Sequence, residues 1–180
     1  MKRIISFVLV LATILTLSAC GGGKKSSGGN NDLPAVKGTV YTGTVDGIEA
    51  EIIIDGTTAV VKRTMVQDEG SAVISTSTAL YGTITETDGK TVIAFNKLVV
   101  SLKITGEQAK AMKEALVNAY GAMIQDADEK QKFIDIYDGK TVTVTSDDTL
   151  LWGGMFVGTY DVTVVLNKTD KTFVQEAEWG

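Results

Sequence analysis

The chain has 180 residues and carries 17 basic against 22 acidic side chains, a net charge of −5, which disfavours nucleic acid as a partner. It contains no histidine and a single cysteine, so the usual general base near neutral pH, the usual activator of a serine or cysteine nucleophile and the commonest transition-metal ligand are all missing. A disulfide framework is excluded as well, and no enzymatic activity, metal or cofactor is expected.

Lys2 and Arg3 precede an apolar run from Ile4 to Leu17 that is too short for a comfortable membrane span of about 20 residues. It ends in Leu17-Ser18-Ala19-Cys20, with leucine three positions before the sole cysteine and a small residue immediately before it. This motif resembles the lipobox of bacterial lipoproteins. The resemblance implies a signal peptide over 1–19, cleavage between Ala19 and Cys20, and lipidation of Cys20 by diacylglycerol with chains such as palmitate. It also implies a lipid anchor that displays the rest of the chain in the cell envelope, on the extracytoplasmic side of a membrane. Two acyl chains, at about 0.8 kcal/mol per buried methylene, hold a protein far more firmly than one. Gly21 does not resemble the aspartate that retains such proteins at an inner membrane, so an outer membrane and a single-membrane surface both stay open.

Residues 21–32 are Gly, Ser, Lys and Asn with one Asp, a composition without apolar surface to bury, and 20–32 is therefore read as a lipidated cysteine and flexible tether. Loss of 1–19 leaves 15 basic and 22 acidic residues, a charge of −7. The remaining 148 residues, 33–180, suit a single β-rich domain.

Within that domain Thr, Val and Ile are frequent, and proline is absent after Pro34, which favours strands. Asp46-Gly47, Asp55-Gly56, Asp88-Gly89 and Asp138-Gly139 each predict a tight hairpin turn, because both residues tolerate positive φ. Strands are predicted over 38–45, 48–54, 57–66, 72–86 with a break near Ser77, 91–96 and 98–104. Ile48, Ala50, Ile52 and Ile54 alternate with Glu49 and Glu51, while Leu98, Val100, Leu102 and Ile104 alternate with Ser101 and Lys103. Such alternation buries one face and wets the other, as in antiparallel sheets.

Thr105-Gly106-Glu107-Gln108 has the spacing of a capping box, and Met112, Leu116, Ala119, Tyr120 and Met123 follow at helical intervals with Lys110, Lys113 and Glu114 largely opposite. One helix is predicted from 107 to about 122 or slightly beyond. Strands resume over 132–137, 140–145, 155–166 and 172–179, the last two joined through residues 167–171. The fold class is mainly β: an antiparallel meander or small β-barrel of about nine or ten strands with one α-helix, since closure hides strand edges. In outline it is similar to the lipocalin-like (calycin-type) barrels, with Gly38-Thr39-Val40-Tyr41 in place of that family's Gly-x-Trp. An open sheet on the helix and a β-sandwich are the alternatives.

Several side-chain groups carry conceivable chemistry. Glu49 and Glu51 share a strand face about 7 Å apart, within the range of paired carboxylates in glycosidases, though a solvated face explains them as well. Ser101 and Lys103 share a face, but a serine–lysine dyad needs a desolvated lysine. Asp126, Asp128 and Glu129 lack the glycine that a calcium loop requires, Asp147-Asp148 is an ordinary turn, and Gly153-Gly154 lacks the lysine of a phosphate loop. In the stretch 150–160, Trp152, Phe156 and Tyr160 combine large apolar faces with glycines that permit close approach. Core packing is the first explanation of these three, and as a ligand or partner surface they are the candidate contacts. The predicted function is a non-enzymatic binding protein for a small apolar molecule or an envelope component. The alternative is a structural or protein-interaction, inhibitor-like lipoprotein with a filled core.

Overall fold

A computed structural model of the full chain describes residues 33–45, 47–68, 71–120, 126–146 and 161–176. Their elements run β1 (Thr39–Val45), β2 (Ile48–Asp55), β3 (Thr58–Asp68), β4 (Val73–Thr87), β5 (Lys90–Thr105), α1 (Glu107–Tyr120), α2 (Ala127–Tyr137), β6 (Val142–Ser146), β7 (Asp161–Asn167) and β8 (Thr172–Gln175). The strands form one mixed sheet in the order β4-β3-β2-β1-β8-β7-β5-β6, with β4 paired to β5 as well. The chain is mainly β as its composition predicts. Among the described residues, however, there are eight strands rather than nine or ten, and two helices rather than one. The β1–β8 pairing, through Thr42 and Thr172, is parallel, which a meander does not contain.

Turn chemistry explains most of the local connections. Asp88 and Gly89 both have positive φ, 53° and 77°, the backbone of a two-residue hairpin that matches strand twist. Gly47 and Gly56 close the β1–β2 and β2–β3 hairpins with φ of 75° and 60°, and Thr58 Oγ1 donates to Asp55 O across the second. The β7–β8 connection is held by Asn167, whose side-chain oxygen accepts from the amides of Thr169 and Asp170. The expected break near Ser77 is not formed: β4 is continuous there, and Ser77 Oγ lies 3.1 Å from Thr64 Oγ1. Likewise the two strands expected over 91–104 are one, β5, in which Thr91, Ile93 and Phe95 alternate with less buried neighbours and Leu98 to Leu102 are buried on both faces. The passage from one buried face to two interrupts the alternation, which in sequence reads like a break between strands.

The chain divides into two compact units. Among the described residues, the larger comprises 33–64, Ser77–Ser101 and 143–176. Here Tyr41, Val45, Ala50 and Ile52 are buried while Thr42, Thr44, Glu49 and Glu51 are exposed, as alternation predicts. Ile52 stands opposite Tyr41 on one side and Val61 on the other. An ideal Cβ on Gly43 would meet Phe173 O at 2.5 Å and the Phe173 ring at 2.9 Å, so the glycine leaves room for that buried ring. Ile53, on the face expected to be wet, is buried too. Its partner Val60 belongs to a second cluster with Leu33, Ala79 and Val99, against which Val36 and Tyr81 pack. The incoming segment, residues 33–37, thus covers a face that alternation alone would leave wet, and Lys62 Nζ holds it by donating to Pro34 O at 2.9 Å.

The smaller unit comprises Met65–Thr76 and Leu102–Val142 among the described residues. Helix α1 begins as predicted, but not through a capping box: Gln108 N donates to Ser71 O at 3.0 Å. Ala109 is buried and Met112 half-buried, whereas Ala119, predicted on the apolar stripe, is exposed. Lys113, predicted to face water, makes an exposed ion pair with Asp138 at 2.7 Å. The side chains of Leu116 and Tyr120, and Met123 altogether, lie outside the described residues.

Residues 132–137, expected as a strand, form the end of α2. Asp126 caps this helix by accepting from Asp128 N and Glu129 N, an arrangement worth about 1 kcal/mol. Phe133, Ile136 and Tyr137 are its buried residues, at helical spacing, with Phe133 and Tyr137 edge to face at 5.2 Å. Asp138-Gly139 is accordingly not a hairpin turn. It ends α2: Gly139 has φ of 74°, and the amides of Asp138, Gly139 and Lys140 return to helix carbonyls, as helices ending on glycine do.

Candidate functional site

The residues picked from sequence are not those around which the structure builds a site. Ala19, Cys20, Trp152, Phe156 and Tyr160 all lie outside the described residues. Glu49 and Glu51 sit exposed on β2. Ser101, placed on a wet face by its alternation, is buried at 2% exposure, and its hydroxyl lies 2.7 Å from that of Thr143, which occupies it in a strand-to-strand contact. Asp126 is a helix cap. Among the described residues no group of three or more His, Cys, Asp or Glu side chains is placed to hold a metal ion.

What the larger unit does offer is an open groove of about 430 Å³, within the range of pockets that hold small ligands. One wall is the incoming segment, through Val36 and Lys37. The floor is the start of β3, where Ala59 and Val60 are buried, and the opposite side is β4 with Tyr81 and Thr83. Asp55, from the end of β2, and Asn96, on β5 just before its fully buried stretch, complete the rim. Each element reaches this place for a local reason: the Asp55-Gly56 hairpin ends β2 there, and Leu33 is fixed in the cluster beneath.

Tyr81 is the one aromatic residue of the groove. Its ring packs on the Leu33 cluster, and Lys97 Nζ stands 5.4 Å from its centroid, close enough for attraction to the ring face. Burial pushes the Tyr81 phenol above its ordinary range, so it is a neutral hydroxyl that can donate and accept at physiological pH. Asn96 and Thr83 are exposed and supply an amide and a second hydroxyl. Lys37 and Asp55 bring one charge of each sign, so the lining has no net charge.

Sequence reading missed this groove because five separate stretches build it. The one usable signal lies at 33–36, where apolar residues follow directly on a tether-like composition. Compared with known proteins, the chain matches no family, no curated protein and no solved structure.

Proposed function

We propose that this chain is a lipid-anchored, extracytoplasmic lipoprotein of the bacterial cell envelope whose β-rich part is a non-enzymatic binding module, with the groove of the larger unit as its site. The observation that carries this reading is the course of residues 33–37. The segment that leads from Cys20 and the tether into the fold is itself a wall of the groove, pinned by Leu33 below and by Lys62 through Pro34. Anchor and site are therefore adjacent along the chain. Twelve residues, 21–32, separate Cys20 from Leu33, and a Gly/Ser-rich tether of that length has a root-mean-square span of about 20 Å, so the groove would work close to the membrane surface. The absence of histidine from the whole sequence supports binding over catalysis.

Metabolic labelling with palmitate tests the anchor. The full chain expressed in a bacterial host incorporates label and fractionates with membranes, whereas Cys20→Ser abolishes labelling and either accumulates uncleaved precursor or releases soluble protein. A Cys20→Ser chain that is still processed and still retained at the membrane overturns the proposal.

A further inference from the structure

We infer that the groove takes an uncharged, polyhydroxylated ligand, a segment of neutral oligosaccharide, rather than a small apolar molecule. This inference deepens the binding-module reading and rests on it. A small apolar ligand gains its affinity by leaving water, which calls for a site that encloses it in apolar surface. This groove does not. Its apolar side chains are those of the floor and one wall, Ala35, Val36, Ala59, Val60 and the Tyr81 ring, while its rim is polar and open to solvent.

The rim selects among polar ligands. Lys37 and Asp55 cancel, so neither an anion nor a cation is favoured by the lining as a whole. Three other groups of the lining are neutral and two-way, since the Tyr81 phenol, the Thr83 hydroxyl and the Asn96 amide can each both donate and accept, while the Thr58 hydroxyl is engaged in donating to Asp55 O. Among the described residues none of these three forms a hydrogen bond within the protein, so their capacity is available to a ligand. A pyranose presents the complement, hydroxyl groups around its edge that donate and accept in turn and an apolar C–H face that can lie on valine or an aromatic ring.

The test is calorimetric titration of the purified full chain, held in a sugar-free detergent, with cellotetraose, maltotetraose and chitotetraose in turn. At least one should saturate. Asn96→Ala and Thr83→Ala should each weaken that binding by about fivefold, as loss of one hydrogen bond does, without moving the urea midpoint, since both side chains are exposed. Tyr81→Phe should do the same, its ring and packing being retained. Raising the salt concentration should leave the affinity unchanged, because the ligand carries no charge. The inference is overturned if none of the three saturates up to about 20 mM, a limit that still detects the weakest specific binding, or if binding survives the Asn96 and Thr83 changes intact. Saturable binding of a fatty acid such as oleate, lost in Asn96→Ala and seen without any response to the sugars, also overturns it, while leaving the binding-module reading in place. The palmitate experiment reads the anchor independently of all these outcomes.

Discussion

Among the described residues Gly106→Ala should be one of the most damaging single-methyl additions, and its cost can be assembled from three contributions. The φ of Gly106 is 109°, a region in which an L side chain costs about 1–3 kcal/mol. The new Cβ would lie 2.4 Å from Ser71 O and 2.9 Å from Ala72 Cα; both are backbone atoms that cannot rotate away, and relieving such an overlap costs roughly a further 1–3 kcal/mol. The relief moves the start of α1 away from Ser71 and so weakens the bond from Gln108 N to Ser71 O, worth about 1 kcal/mol. Together these give about 4 kcal/mol, a large part of the roughly 5–15 kcal/mol by which domains are stable. Gly89→Ala is the internal control: its φ is also positive, 77°, but nothing lies within 4 Å of the added carbon, so only about 1–2 kcal/mol of strain is expected. Urea unfolding followed by far-UV circular dichroism reads the difference. With a slope of about 2 kcal/mol per molar, Gly106→Ala should lower the midpoint by about 2 M and Gly89→Ala by less than about 1 M. Equal shifts would refute the reasoning, because they would mean that the contact with Ser71 adds nothing to backbone strain.

Tyr137 is buried with no hydrogen-bond partner for its hydroxyl among the described residues, and burial pushes its phenol far above the ordinary tyrosine range. Tyr137→Phe should therefore leave stability unchanged or raise it by up to about 1 kcal/mol, and a loss of stability in the same urea assay would reveal a partner for the hydroxyl. Because the folded value is raised, the Tyr137 contribution to stability should be complete below the unfolded tyrosine pKa and decline as the pH climbs above it, a slope that Tyr137→Phe removes. Asp135 is held below the ordinary aspartate range, first by hydrogen bonds from Lys140 and Gln131 and then by the nearby charge. Its support of the fold should be present above the unfolded aspartate pKa and lost as the pH falls through the lower folded value. Carbonyl-carbon NMR titration should show that low midpoint, and Lys140→Ala should raise it; a midpoint that Lys140→Ala leaves in place would show that the ion pair is not its cause.

What could be read from sequence depended on how local the determining interaction was. Asp88-Gly89 specifies its hairpin within two residues, and Ala50 and Ile52 against Glu49 and Glu51 specify the faces of β2 within four, so both were legible. Helix α2 has a start signal, Asp126 followed three residues later by Glu129 at the spacing of a cap, but a solvated connection accounts for the same acidic cluster. Six residues rich in isoleucine and aromatics, 132–137, then passed for a strand, a confusion that short apolar runs invite. Burial of Ile53 and the groove itself were illegible for a different reason. Both depend on Leu33 and Val36 lying across β3 and β4, and no periodicity within one segment encodes contact with another.

The parallel pairing of β1 with β8 governs the order in which this sheet can be completed. Thr42 and Thr172 are about 130 residues apart, and bringing the ends of a flexible loop of that length together costs about 4 kcal/mol of chain entropy, beyond what the few hydrogen bonds at the junction return. The β1–β2 and β7–β8 hairpins close over a handful of residues and form without that cost, so the junction between them follows once other contacts have shortened the loop. A chain emerging from a ribosome or a translocation channel holds β1 long before β8 exists. Until synthesis reaches the last strand, one edge of β1 stays without its neighbour, and the amide of Thr42, which donates to Lys171 O, is where pulse labelling would find protection arriving last.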